Sequence, residues 1–191
     1  GQTSGSVTIG ATGLMTADLV TVNNGGTVLV NGELELNQNG SLTLSGGGQL
    51  TIGNGATLDA GANNTTVTIQ DTGTMTVANG GTLLVNGTGS ALIVETGASL
   101  VAQEDASIAA TSTTIEATGE INLGLSSGMT SGSLTIDAGA TAEDPGGSIT
   151  VGPRALLEVT GTLTNNAGVN GILIESTALG MGTLLHSTPD V

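Results

Sequence analysis

The carboxylate pair Glu33 and Glu35 is the arrangement in this sequence best suited to chemistry. Two carboxylates roughly 5 to 9.5 Å apart can hydrolyse a glycosidic bond, one as the acid and the other as the base or nucleophile. Residues two apart on a strand point the same way and lie about 7 Å apart. We favour a solvated outer strand face for this pair, because the chain has no aromatic residue to stack on a sugar ring.

The single histidine, His186, and the single cation, Arg154, restrict other kinds of catalysis. The chain has no cysteine and no Gly-x-Ser-x-Gly elbow at a strand-to-helix turn, so we expect a structural or exposed role for His186. A lyase acting on acidic sugars needs cationic groups, which Arg154 alone does not supply. The prediction is a protein that is not an enzyme and has no catalytic or cofactor-binding residue. A polysaccharide hydrolase is the least favoured alternative.

Calcium binding is the metal chemistry that the carboxylates allow, because hard cations prefer oxygen ligands. The candidate ligands at or near turns are Asp71, Glu104, Asp105, Glu143 and Asp144. Neither the Gly-Gly-x-Gly-x-Asp repeat of calcium-loaded β-rolls nor an EF-hand loop occurs. The sequence therefore predicts, at most, weak and incidental Ca²⁺ sites.

Outward-facing Thr residues form a candidate binding surface, represented by Thr43, Thr68 and Thr76. Flat Thr-x-Thr arrays can bind ice or glycans, although Thr is also an ordinary residue of exposed strands. We expect the arrays to fall on different faces without a long run in one register. Glycan or ice binding is therefore the alternative function.

Apolar residues at outward positions mark a candidate partner-contact face: Leu29, Leu84, Ile93 and Leu173. Exposed apolar side chains can cover a loop or contact a partner. The open ends of a repeat rod also expose unpaired strand edges. We therefore expect neighbouring modules or subunits to stack on the chain end-to-end or laterally, with glycans as a further class of partner.

Composition excludes several other classes of function. The 191 residues carry a formal net charge of −15, which disfavours nucleic acid and anionic membrane surfaces. No apolar run reaches the length of about 18 residues that a membrane-spanning helix needs, so membrane insertion is not expected. Only 9% of the residues are charged and the mean hydropathy is positive, which argues against disorder.

Internal repeats dominate the sequence. The segment Thr21–Gly32 returns as Thr76–Gly87 with ten of twelve positions identical, and the Asn-Gly pairs at 24, 54 and 79 give intervals of 30 and 25. Within each repeat, a shorter unit of about eight residues alternates polar and apolar residues and ends in Gly or Asn. Alternation of period two predicts a strand with one buried face, and Gly and Asn predict the corner that follows.

Three short strands in each 25-to-30-residue turn predict an all-β fold, a right-handed parallel β-helix (β-solenoid) of about six to seven rungs. The eight-residue unit disfavours the left-handed hexapeptide helix, whose unit has six residues. The 25-residue register disfavours an antiparallel sandwich. The segment 103–133 is the least regular, so we expect distorted turns or a loop there. The predicted inward columns include Leu42, Leu44, Leu50, Ile52, Val67, Ile69, Met75 and Val77.

Two segments carry a resemblance to known proteins. The residue pattern of Ser41–Gly61 resembles that of the β-helical stalks of secreted bacterial surface proteins and adhesins. The segment Gly171–His186 is similar to one in large exported proteins of Bacteroidota, which are cargo of type IX secretion. The resemblance implies that residues 1–191 are one β-solenoid domain within a longer protein at the cell surface or outside the cell. It implies a stalk, fibre or adhesin segment and carries no catalytic motif.

Overall fold

The computed structural model describes residues 5–137, 147–167, 171–177 and 180–186. Within these ranges the chain forms strands and corners and no helix. The strands in chain order are β1 (Ser6–Ile9), β2 (Leu14–Val22), β3 (Thr27–Val30), β4 (Glu33–Leu44), β5 (Gln49–Ile52), β6 (Thr57–Asp59), β7 (Thr66–Ile69), β8 (Thr74–Val77), β9 (Thr82–Val85), β10 (Ala91–Val94), β11 (Ser99–Ala102), β12 (Ser107–Ile115), β13 (Glu120–Leu123), β14 (Gly128–Ile136), β15 (Ser148–Val151), β16 (Leu156–Val159), β17 (Leu163–Asn165), β18 (Ile172–Ile174), β19 (Ser176–Thr177), β20 (Gly180–Met181) and β21 (Thr183–His186).

Successive strands lie on three faces, which the chain visits in the same order on each turn. Face 1 is the sheet β1-β3-β5-β8-β11-β13-β15-β18. The long strands β2, β4, β12 and β14 begin on face 2 and continue onto face 3. Face 2 is completed by β6, β9, β16 and β21, and face 3 by β7, β10 and β17.

The strand pairing confirms a parallel β-solenoid of about seven turns. Every described pairing is parallel except the two-residue pair β19–β20, so the antiparallel sandwich is wrong. The turns differ in length more than predicted. Leu14 pairs with Glu33, 19 residues later, whereas Glu120 pairs with Ser148, 28 residues later.

The eight-residue unit consists of a four-residue strand followed by a four-residue corner. After β5, residues 53–56 turn the chain onto face 2, and the amide of Ala56 donates to the carbonyl of Gly53 at 3.1 Å. Gly55 in this corner has φ +67°, a conformation that side chains with a Cβ adopt only with strain. Gly and Asn therefore recur at corners because they adopt this backbone conformation with little strain.

The interior consists of stacked aliphatic columns, as the sequence predicts. All eight predicted inward residues from Leu42 to Val77 are at most 1% exposed. Each column continues from turn to turn through the parallel register, for example Leu42, Val67 and Leu92 on face 3. No described buried side-chain nitrogen or oxygen lacks a hydrogen-bond partner. Burial of these aliphatic columns is the main stabilising contribution.

A few hydroxyl groups interrupt the aliphatic columns, and each is bonded inside the rod. Thr65 Oγ1 donates to the carbonyl of Ala60 and lies 2.9 Å from Ser90 Oγ. Further along, Thr113 Oγ1 and Ser131 Oγ lie 2.9 Å apart. These buried hydroxyls cost little because they bond to one another and to backbone carbonyls.

The expectation of distorted structure over residues 103–133 is wrong. This segment contains β12, β13 and most of β14, and β12 and β14 pair over eight residues. The irregular spacing arises because β12 and β14 pass from face 2 to face 3 with a corner of one residue, Thr111 or Gly132. A strand of nine residues thereby replaces two strands and a four-residue corner.

Candidate functional surfaces

The pair Glu33 and Glu35 lies on the outer side of face 2, pointing the same way as predicted. Glu33 is exposed and Glu35 is half-buried. Thr16 Oγ1 donates to Glu35 Oε2 at 3.5 Å, and Asp59 is the register partner of Glu35 on the next turn. Asp59 Oδ1 accepts a hydrogen bond from the Gly61 amide at 2.7 Å. This gives three outward carboxylates on two adjacent turns of one flat face.

His186 and Arg154 occupy positions that suit structural roles. His186 Nε2 lies 2.8 Å from the carbonyl oxygen of Gly161, which ties the last strand of face 2 to the preceding turn. Arg154 is exposed in the corner before β16, with φ +59°. The exposed position of His186 and its contact with Gly161 are consistent with the exposed or structural role expected of it.

The segment Gly124–Gly128 has the spacing Gly-x-Ser-x-Gly, but it does not stand at a strand-to-helix turn. Ser126 has φ +56°, and strand β14, not a helix, follows it. The next hydroxyl, Ser127 Oγ, donates to the carbonyl of Gly124 at 2.9 Å. The segment is therefore a corner of the solenoid with a closed hydrogen-bond arrangement.

The candidate calcium ligands are not brought together where the structure describes them. Asp71 lies in a corner between faces 3 and 1, whereas Glu104 and Asp105 lie in a corner between faces 1 and 2. Glu143 and Asp144 lie outside the described residues. No group of three or more His, Asp or Glu side chains suited to a metal ion occurs in the part of the chain that the structure covers.

A column of carboxylates that the sequence analysis did not single out lines one corner of the rod. Glu95, Glu116 and Asp137 directly follow the face 3 strands of three successive turns, and the amide of each donates to the turn before. Asp71 belongs to the corner one turn before Glu95. Partial burial, together with the charges of Glu116 and Asp71, raises the pKa of Glu95 above its ordinary value of 4.5.

Replacing Glu95→Gln should raise the melting temperature at pH 7. Well below pH 4.5 Glu95 is mostly protonated in both the folded and unfolded states, so its charge then has little effect on stability. As pH rises through the raised folded-state pKa, ionisation of Glu95 destabilises the folded state. Thermal denaturation at pH 4 and pH 7 measures this difference. The control Glu120→Gln removes the same charge from face 1 and should give a smaller gain in melting temperature. A gain from Glu95→Gln that is equal at pH 4 and pH 7 would contradict the prediction.

Thr43 and Thr68 are register partners on face 3, so the expectation that the Thr arrays fall on different faces is wrong for them. Thr76 lies on face 1, where its neighbours in the column are Thr51 and Val101. Face 3 therefore carries two long outward columns in one register. The first column is Leu19, Ser41, Thr66, Ala91, Ser112 and Ser133, and the second column is Thr21, Thr43, Thr68, Ile93, Thr114, Thr135 and Thr164.

Face 3 is also uncharged, in a chain of net charge −15. Neither column contains a charged residue over the described turns, whereas face 2 carries Glu33, Glu35, Asp59 and Glu158. Most of these outward side chains are half-buried, because each packs against the same position on the turns above and below. The result is a flat surface of hydroxyl and methyl groups.

The four apolar residues of the candidate partner-contact face lie on three different faces. Leu29 and Leu173 belong to one outward column of face 1 but lie in the second and the last turns. Leu84 lies on face 2 beside Asp59 and Ala109, and Ile93 lies in the second column of face 3. They do not form one patch, and their contact with a partner stays a prediction.

Exposed apolar residues concentrate at the two ends of the described rod. Of the ten large apolar side chains that are exposed, eight lie in the first or last turn. Val7 and Met15 face the interior columns of the first turn yet are 49% and 37% exposed, because none of the described turns lies beyond theirs. The eight are Val7, Leu14, Met15, Leu19, Leu173, Ile174, Met181 and Leu185.

Comparisons with known proteins assign no family. No protein-family model and no curated protein matches the chain. A solved structure described as the crystal structure of a TibC-catalyzed hyper-glycosylated TibA55-350 fragment is 19% identical, with 94% of each chain covered and a TM-score of 0.22. Separately, among the described residues no helix is long and apolar enough to cross a lipid bilayer.

Proposed function

We propose that this chain is a non-enzymatic structural module of an extracellular bacterial surface protein, serving as a stalk, fibre or adhesin segment. The observation that carries the proposal is the unbroken parallel register of face 1, from β1 to β18. Continuous backbone ladders over an aliphatic interior give a stiff rod that resists extension and proteolysis. At about 4.8 Å per turn, the rod is roughly 35 Å long.

The exposed apolar residues at the two ends support a role as one segment of a longer stack. Val7 and Met15 at one end, and Ile174 at the other, present interior columns that a further β-rung would cover. Unpaired strand edges beside them offer backbone hydrogen bonds to the same rung. End-to-end stacking with neighbouring modules would satisfy both groups. An origin in a Bacteroidota protein exported by type IX secretion is proposed from the resemblance of Gly171–His186.

Elastase digestion tests the compact rod, because this protease cleaves after small aliphatic residues. Such residues occupy the interior columns, for example Val30 and Val85, both 0% exposed. We expect residues 27–136 to remain as one resistant fragment while the ends are trimmed. Rapid cleavage throughout the chain would exclude a stiff spacer.

Antibody labelling tests the surface location. Antibodies against the chain should label intact producing cells, and labelling only after permeabilisation would contradict the surface location.

Binding of ice or glycan by face 3 is the second candidate function. The observation favouring it is the second column, in which six of seven outward residues are Thr in one register. A regular array of hydroxyl and methyl groups can order water or contact a neutral sugar. Thermal-hysteresis and glycan-array measurements test this function. Thr76 on face 1 lies outside this array.

A polysaccharide hydrolase remains the least favoured candidate. Its residues would be Glu33 and Glu35, which project from the flat outer side of face 2. If any glycan-cleaving activity is detected, Glu33→Gln and Glu35→Gln should leave it unchanged. A loss of that activity in either variant would favour the hydrolase.

A further inference from the structure

We propose that face 3 is the interface through which two copies of this chain pair side by side, with their rod axes parallel. This inference goes beyond the structural role proposed above, since a stalk segment could equally be a single rod. It rests on the charge and the size of the outward residues in the two columns of face 3, and on the charge of the corner residues that border these columns.

Charge favours face 3 over face 2, whereas face 1 differs from face 3 by one outward carboxylate, Glu120. Two copies of a chain with net charge −15 repel each other wherever carboxylates meet. Face 2 presents Glu33, Glu35, Asp59 and Glu158. The two columns of face 3 present none over the described turns. Depletion of charge is typical of the centre of protein–protein interfaces.

Residue size selects the parallel arrangement. In a twofold dimer with parallel rods, the first column of one copy lies over the second column of the other. With antiparallel rods, each column lies over its own copy. At the central turn the second column carries Ile93 and the first carries Ala91. The parallel arrangement therefore places the bulky Ile93 over the small Ala91, whereas the antiparallel one places Ile93 against Ile93.

The two edges of face 3 favour the same arrangement. The acidic column, with Glu95 and Glu116, runs beside the second column. The opposite edge carries Asp18 in the first turn and is uncharged in the third turn, where Asn64 Nδ2 donates to Asn39 Oδ1 at 3.3 Å. Parallel pairing places the acidic edge of one copy over the opposite edge of the other. Antiparallel pairing would place Glu95 of one copy against Glu95 of the other, which is repulsive.

The size of the surface sets the expected strength of the dimer. Seven strands about 4.8 Å apart, each four residues wide with adjoining corners, give roughly 30 by 20 Å, or about 600 Å² per copy. A standard interface buries about 800 Å² per partner. We therefore expect a weak dimer with a dissociation constant on the order of micromolar, tighter at higher salt because ions screen the acidic edges.

Sedimentation velocity of the full chain and two variants tests the assignment. We expect a concentration-dependent dimer that Thr68→Glu weakens by roughly tenfold or more, because it buries an unpaired carboxylate in the interface. The control Thr76→Glu adds the same charge at the equivalent outward position of face 1 and should leave the dimer within about threefold. Matched melting curves establish that both variants are folded. A monomer at all concentrations, or equal loss in both variants, would overturn the proposal.

Cross-linking tests the orientation, since the natural chain has no cysteine. Leu19→Cys and Thr21→Cys, which lie in the first turn of the first and second columns, are prepared separately, mixed, and treated with a bis-maleimide that spans about 10 Å, the spacing of packed sheets. Parallel pairing places the two first turns together and predicts cross-linked dimers in the mixture, whereas antiparallel pairing separates them by roughly 30 Å. A dimer in sedimentation that gives no cross-link in this mixture would overturn the parallel arrangement. A monomeric protein that loses ice or glycan binding through Thr68→Glu would assign face 3 to that ligand instead.

Discussion

Replacing Gly48→Ala should destabilise the protein by about 3 kcal/mol, although it adds one methyl group outside the core columns. A Cβ at this position would lie 2.2 Å from the carbonyl oxygen of Val22 and 2.7 Å from its carbonyl carbon. Both are backbone atoms of the preceding turn, and that carbonyl accepts a hydrogen bond from the Ser45 amide at 2.9 Å. Neither atom can move without separating the two turns, so the strain has no local relief.

The measurement is thermal or urea denaturation of Gly48→Ala beside the control Gly128→Ala. At Gly128 a Cβ would meet no atom within 4 Å, and the residue starts strand β14. Because Ala suits a strand better than Gly and restricts the unfolded chain, the control should be neutral or slightly stabilising. At about 2 to 4 °C per kcal/mol, Gly48→Ala should lower Tm by about 10 °C. Equal effects in the two variants would show that contact with the preceding turn is unimportant.

The strands, the corners and the interior columns could be predicted from the sequence because each depends on neighbouring residues. Alternation of period two identifies the buried side of a strand, and Gly or Asn identifies the corner. The 25-residue offset also gave the correct register on all three faces between two successive turns, where Leu42, Leu50 and Leu58 pair with Val67, Met75 and Leu83. In that part of the chain every corner has the same length on both turns.

The composition of each face could not be predicted, because the eight-residue unit fits any face. The near-identical segments Thr21–Gly32 and Thr76–Gly87 show this directly. Thr21 lies in a strand of face 3, whereas Thr76 lies on face 1. Corners between faces 2 and 3 vary from one residue, as at Thr111, to several, as between β6 and β7. The sequence separation between register partners on successive turns therefore changes along the chain. For this reason the Thr columns and the acidic column become visible only in three dimensions.

Replacing Leu44→Ala should cost about 3 to 4 kcal/mol, because the side chain is fully buried and its column continues on both sides. Leu44 pairs in register with Val22 on one turn and Ile69 on the next, so the cavity weakens two stacking interfaces. In a repeat rod, stability is approximately the sum of turn energies and nearest-neighbour interfaces. A lesion in an interior turn should therefore unfold the rod cooperatively on both sides.

Two control variants separate core packing from position along the rod. Thr43→Ala changes the adjacent outward residue and should alter stability by less than about 0.5 kcal/mol. Val7→Ala also truncates an interior column, but Val7 is 49% exposed in the first turn and has a neighbouring turn on one side only. Its cost should be well below that of Leu44→Ala, as read by urea denaturation and hydrogen exchange. If Val7→Ala and Leu44→Ala cost the same, the rod is not held together by turn-to-turn stacking of these columns, and the spacer function loses its physical basis.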